Sequence, residues 1–183
     1  MAVPGKVIHN SLTRQSIRFI KTSQDTDGQL LEMESVYLAQ SREPAPHYHP
    51  KQEEDFLVLE GELTVVLDGQ LMLLKAGDRL HIPAGVHHAM WNSSNTNTII
   101  NWQVRPALKT EYLLETVYGL AADGKTNRKG MPGLWQVAAT GRYFDNEFRL
   151  SKPGFGVQKL IFGLMAPIAY VFGYRGLYKR YID

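Results

Sequence analysis

The chain has 183 residues, 20 of them basic and 18 acidic for a net charge of +2, and no cysteine. That length holds one ordinary hydrophobic core with some chain left over. Without cysteine there are no disulfides, thiolate ligands, iron–sulfur clusters or thiol nucleophiles, so any bound metal must be held by nitrogen and oxygen.

Met1 to Asn10 lacks the charged, then apolar, then small-residue order of a secretory leader, and a cytoplasmic location is expected. Ser16 to Lys21 and Leu31 to Ala39 alternate apolar and polar residues, which predicts two strands joined by a turn at Asp25, Asp27 and Gly28. Pro44 and Pro46 then keep the backbone extended, because the residue before a proline is pushed away from helical geometry. On such a segment His47 and His49 point to one face and Tyr48 to the other.

Phe56 to Leu59, Glu62 to Leu67 and Gln70 to Lys75 are short runs rich in Val and Leu, separated by Glu60-Gly61 and Asp68-Gly69. Asp-Gly between alternating runs is a strong hairpin signal, since both central residues take positive φ. Arg79 to Ile82, Val86 to Trp91 and Thr98 to Val104 continue the series. Evenly spaced short strands with tight turns predict a mainly β fold, an antiparallel barrel or double-sheet jelly roll.

Near Arg105-Pro106 the period changes, dividing residues 1–106, a β-barrel domain, from 107–183, a C-terminal helical extension. The first part holds 9 basic and 12 acidic residues, or −3, and the second 11 and 6, or +5. That is too weakly basic to indicate nucleic acid. Leu108, Tyr112, Leu113, Thr116, Val117 and Leu120 recur at helical spacing, with Gly124 as the stop and a basic loop at Lys125 to Gly130. Pro132 suits the first turn of a second helix running towards Tyr143, and Pro153 the start of a third.

From Leu160 to Tyr174 the chain is apolar on every side, with Gly163, Pro167 and Gly173 interrupting it. Eight large apolar side chains lie there, each worth roughly 1.5 to 3 kcal/mol on full burial, so something is expected to cover them. The uncharged run of 15 residues is short of the roughly 20 a spanning helix needs. Packing on the barrel or on a second subunit is the main expectation, with a homodimer as the assembly. Contact with a membrane surface is the alternative, because Arg175, Lys179 and Arg180 interleave with Tyr174, Tyr178 and Tyr181.

The chemistry-bearing residues fall in two clusters between Pro46 and Asn92. The first contains His47, His49, Glu54 and Gly61, and the second Gly77, Pro83, Gly85, His88 and Asn92. Imidazoles and a carboxylate are common ligands of divalent first-row metals, so His47, His49, Glu54 and His88 form a candidate coordination shell. His9, His81 and His87 read as surface or loop histidines, with His81 the one candidate for a supporting partner. Trp91 and Trp102 read as core.

These positions resemble the two motifs of the cupin family of small jelly-roll barrels. The first motif is matched at His47, His49, Glu54 and Gly61, but Ser41 stands where its leading glycine would fall. The second is matched throughout, at Gly77, Pro83, Gly85, His88 and Asn92. The resemblance selects Glu54 over Glu53 and His88 over His87, and implies that His47, His49, Glu54 and His88 bind the metal. A two-residue repeat then turns Phe56 and Val58 inward with Glu54, and Met90 and Asn92 inward with His88, as a pocket wall. Asn92 has a second reading, closing a turn.

Cupins host many chemistries, so fold does not name function. One expectation is an enzyme holding Fe, Mn, Ni, Zn or Cu and acting on a small organic molecule by an oxygenase-like or isomerase-like reaction, with Glu54 moving a proton. The other is a small-molecule-binding or sensor protein without turnover. An enzyme should have an open pocket with polar groups besides the ligands, whereas a sensor should link the pocket to the tail.

Overall fold

Side chains that alternate between apolar and polar put the first hundred residues into strands, and the computed structural model describes residues 1–127 and 130–182. The strands are β1 (Val7–Asn10), β2 (Gln15–Lys21), β3 (Leu31–Tyr37), β4 (His47–Tyr48), β5 (Glu53–Glu60), β6 (Glu62–Leu67), β7 (Gln70–Lys75), β8 (Arg79–Ile82), β9 (His88–Trp91) and β10 (Thr98–Arg105). Then come α1 (Thr110–Ala122), α2 (Leu134–Tyr143), β11 (Arg149–Leu150), α3 (Phe155–Val171) and α4 (Lys179–Ile182). Arg128 and Lys129 of the basic loop lie outside the described residues.

The strands form two antiparallel sheets, ordered β1-β2-β3-β10-β5-β8 and β11-β4-β9-β6-β7, which is the expected double-sheet jelly roll. In β3, Leu31, Met33, Ser35 and Tyr37 are buried while Glu32, Glu34 and Val36 are not, as period-two packing against a single core requires. The β6–β7 hairpin turns through Asp68 and Gly69 at φ of 46° and 82°. Gly61 is fixed by space as well as by its φ of 76°, because a methyl there would collide with the Asn97 carbonyl oxygen.

Two short elements differ from expectation. β1 pairs with β2 through four residues, and β11 pairs with β4 through two, Arg149 opposite Tyr48 and Leu150 opposite His47. Neither run is long enough to show a period, so pairing across the fold defines them. Pro132 bridges to Thr126 ahead of α2, and Gly154 is the cap of α3, so neither helix begins at a proline.

The residues after 106 are tied to the barrel. Ala107, Leu114, Val117 and Tyr118 pack against Ile17, Phe19, Leu31, Met33 and Val104. The buried Gln52 side chain donates to the carbonyls of Pro106 (2.7 Å) and Ala107 (3.0 Å) and exchanges hydrogen bonds with the Thr110 hydroxyl at 2.8 and 3.1 Å. α3 packs on α2, where Gly141 leaves room for the Phe162 ring.

Candidate metal centre

β4 and β9 are neighbours in one sheet, and their register sets His47 directly opposite His88. His49 follows at the end of β4, held by its carbonyl accepting the Gly85 N–H at 2.8 Å. Glu54 comes from the facing sheet, on β5 between Ile82 of β8 and Val104 of β10. The three imidazoles converge, with one ring nitrogen from each within 4.8 Å of the others and centroids 4.5 to 5.3 Å apart.

Each imidazole has its Nδ1 against a backbone carbonyl: His47 on Ala45 (3.0 Å), His49 on Glu147 (2.6 Å) and His88 on Val86 (3.0 Å). A carbonyl only accepts, so every Nδ1 carries the proton and every Nε2 presents its lone pair. Nε2 of His49, Nε2 of His88 and Oε2 of Glu54 are buried without a hydrogen-bond partner among the described residues. His88 Nε2 and Glu54 Oε2 are 3.0 Å apart, but they are not aligned for a hydrogen bond. Buried polar atoms are rarely left unmatched, and the three imidazoles are close enough to share a divalent cation, with the Glu54 carboxylate beside them.

The electrostatics agree. Burial alone would raise the Glu54 carboxyl, but the imidazoles of His49, His88 and His47 outweigh it and hold its pKa at about 2. For His47, loss of water and then the neighbouring His88 and His49 lower the pKa to about 3, keeping it neutral and ligand-ready. His88 moves upward because the Glu54 carboxylate outweighs its burial.

A cavity of about 270 Å³ opens from these groups and runs beneath the helices, with a mostly carbon lining. Phe56 and Met90 line it together with His47, His49, Glu54 and His88, whereas Val58 and Asn92 do not. Val58 is packed in the core, and Asn92 donates to the carbonyls of Tyr37, Leu38 and Thr96, closing a loop. Ser41, at the glycine position of the motif, accepts the Asn92 backbone N–H at 2.8 Å.

His81 sits on the outer face against Asp55 (2.9 Å), which Arg105 also holds, so it does not support the site. His87 stacks on Tyr48 and bonds Ser151. The residues that do support it are others. Trp102 donates its Nε1–H to Glu54 Oε1 at 3.0 Å, and Phe148 stacks on His47 with centroids 4.7 Å apart. Tyr118 and Tyr37 line this cavity, and the buried Tyr118 hydroxyl has no hydrogen-bond partner among the described residues. Only Trp102 left a trace in the sequence, as a core-side position alternating with Ile100 and Val104.

Residues 34–102 match the family profile described as a cupin domain. Residues 34–102 of the barrel are thus a cupin domain. Within the chain, 72 residues are 38% identical to quercetin 2,3-dioxygenase of Bacillus subtilis, covering 39% of this chain and 21% of that protein. Sixty residues are 37% identical to polyketide synthase CurC of Streptomyces cyaneus, covering 33% and 39%. The chain thus spans well under half the length of these curated relatives. Among solved structures, the polyketide cyclase RemF of Streptomyces resistomycificus superposes with a TM-score of 0.47 at 19% identity, over 55% of this chain and 74% of that one.

Proposed function

We propose that this cupin is a metal-dependent enzyme acting on a small, largely apolar organic molecule, with an oxygenase-like reaction favoured over an isomerase-like one. The observation that carries this reading is the set of inward-facing, unpaired atoms of His49, His88 and Glu54 at the floor of a carbon-lined cavity. His47, His49, Glu54 and His88 would hold the ion. When bound, it supplies Lewis-acid polarisation of a substrate oxygen or a redox centre, according to whether it is Zn, Fe, Mn, Ni or Cu. The preference for oxygenase chemistry rests on the local identity to quercetin 2,3-dioxygenase.

The chain's own residues supply the rest. Phe56, Met90 and Phe148 exclude water and favour a flat apolar body. The Tyr118 hydroxyl, unpaired in the cavity, donates to a substrate oxygen and helps set its orientation. Glu54, ionised and anchored on Oε1 by Trp102, is the group assigned to accept a proton, and the surrounding imidazoles make it pass that proton on readily.

A binding protein without turnover is the second reading, favoured by one observation. The tail touches the site directly, through the Glu147 carbonyl on His49 and the Phe148 ring on His47. Elemental analysis of freshly purified protein, run with an oxygen-uptake screen over hydroxy-keto and phenolic aromatics, separates the two. The enzyme reading expects a stoichiometric divalent ion and uptake or product with one compound class. Metal and ligand binding without any product would favour the binder. His47→Ala and His88→Ala should each lose the ion and keep the β-rich circular dichroism; unchanged metal content in both would sink the ligand assignment.

A further inference from the structure

Among the described residues, α3 presents two largely apolar stripes of which one is covered. Phe155, Gln158, Phe162, Met165, Ala166 and Ala169 recur at helical spacing on the side turned into the molecule, and they are buried or half-buried. The opposite side carries Val157, Leu160, Leu164, Ile168, Val171 and Phe172 at the same spacing, and all six are exposed. Leu160 and Leu164 are each 65% exposed, Phe172 69% and Val171 84%. Trp135, at the start of α2, extends this surface by meeting Phe172 with centroids 6.1 Å apart. A helix apolar all round is normally buried all round, so this face awaits a partner.

The charge around it says which. Between Glu147 and Asp183 there is no acidic residue; of the six basic residues there, Arg149 pairs with Asp145 and Arg180 with Asp123, which leaves Lys152, Lys159, Arg175 and Lys179 without an acidic partner among the described residues. Lys159 borders Leu160 and Leu164 in a shallow surface groove. Lys152 precedes the helix, and Arg175 follows it with its guanidinium on the carbonyls of Tyr170 and Tyr174. Lys152, Lys159 and Lys179 make no ion pair among the described residues. A second copy of the chain seated on this stripe would set these cations against their own equivalents. An anionic bilayer offers the complement to both properties, an apolar layer beneath negatively charged headgroups. No helix of the described residues is long and apolar enough to cross a membrane, so α3 would lie along the surface.

We propose that the outer face of α3, with Trp135 beside it, docks the protein on an anionic phospholipid surface. This is independent of the metal chemistry. It has one consequence for it, since Phe155, Gln158, Lys159 and Phe162 of the same helix line the cavity that leads to the histidines. The helix that docks therefore also forms one wall of that cavity, with its inner side.

The test is co-sedimentation of the full-length protein with vesicles of phosphatidylcholine containing phosphatidylglycerol, against vesicles of phosphatidylcholine alone. Binding to the anionic vesicles, weakening as salt is raised, is expected. Emission of Trp135 should shift to the blue on binding and lose that shift in Trp135→Phe. Leu164→Asp should reduce the vesicle affinity at least about tenfold through the lost apolar insertion. Lys152→Glu and Lys179→Glu should each reduce it about fivefold or more. All these side chains are exposed, and unchanged circular dichroism and metal content confirm that each variant is folded. A wild-type protein that stays in the supernatant with anionic vesicles overturns the proposal. If it instead elutes as a dimer that Leu164→Asp converts to monomer, the face belongs to a second copy. Equal binding to neutral and anionic vesicles would also overturn the assignment.

Discussion

Phe148→Ala isolates the part of the candidate metal site supplied by the tail. The ring lies over His47 at 4.7 Å with the planes 27° apart, and meets His49 edge-on at 6.3 Å and 72°. The substitution removes both contacts but keeps the backbone of the segment that brings the Glu147 carbonyl to His49 Nδ1. Each aromatic pair is worth about 0.5–1.5 kcal/mol, so freeing the two imidazoles costs about 2 kcal/mol of orientation, or roughly thirtyfold in metal affinity. Removing the outer supports of metal ligands generally costs about 10- to 100-fold, which brackets that figure. Competition with a chromophoric chelator at fixed pH measures it, and circular dichroism checks that the barrel is intact. Phe148→Leu, which restores bulk without a π face, should recover part of the loss. A Phe148→Ala protein with affinity within about twofold of wild type, while His47→Ala has lost the ion, would refute the idea that this ring holds His47 in place.

Tyr118→Phe removes a buried hydroxyl that has no partner, so thermal stability should hold or rise slightly while KM for the substrate increases; a fall in stability with KM unchanged would assign the hydroxyl to the fold. Gln52→Ala strips hydrogen bonds from the Pro106 and Ala107 carbonyls and from Thr110, and should lower the unfolding free energy by about 2–3 kcal/mol in urea titrations. Gly61→Ala forces a methyl towards the Asn97 carbonyl at positive φ and should cost about 1–3 kcal/mol in the same measurement. Phe144→Ala, at 1% exposure on the cavity wall, should cost about 3–5 kcal/mol.

The barrel was legible because its information is local. Alternation over six or seven residues predicts β2, β3, β6 and β7, and Asp68-Gly69 predicts the hairpin, since each signal lies within a single turn or strand. β1 and β11 were not legible, because two to four residues have no measurable period and are strands only by virtue of a partner far along the chain. For the apolar tail the sequence predicts cover, because burial is the usual fate of such a run. Its composition shows how much apolar surface exists but not that, among the described residues, the inward stripe of α3 alone is covered.

The same division runs through the site. The four candidate ligands stand within 42 residues, from His47 to His88, and their spacing carries them. What orients them comes from elsewhere. His49 is aimed by a carbonyl 98 positions later, and a backbone carbonyl has no residue-type signature. Glu54 is aimed by Trp102, 48 positions away, whose indole N–H is invisible when the residue is read only as bulk for a core. The Phe148 ring reaches His47 because β11 pairs with β4, the pairing the sequence hid. Coordination by itself needs only donors at the right spacing. Fixing which imidazole nitrogen faces inward needs the second layer, and in this chain that layer is shared between the barrel and the segment joining α2 to α3. The tail therefore belongs to the candidate metal centre on one side, while the other side of α3 is turned to the outside.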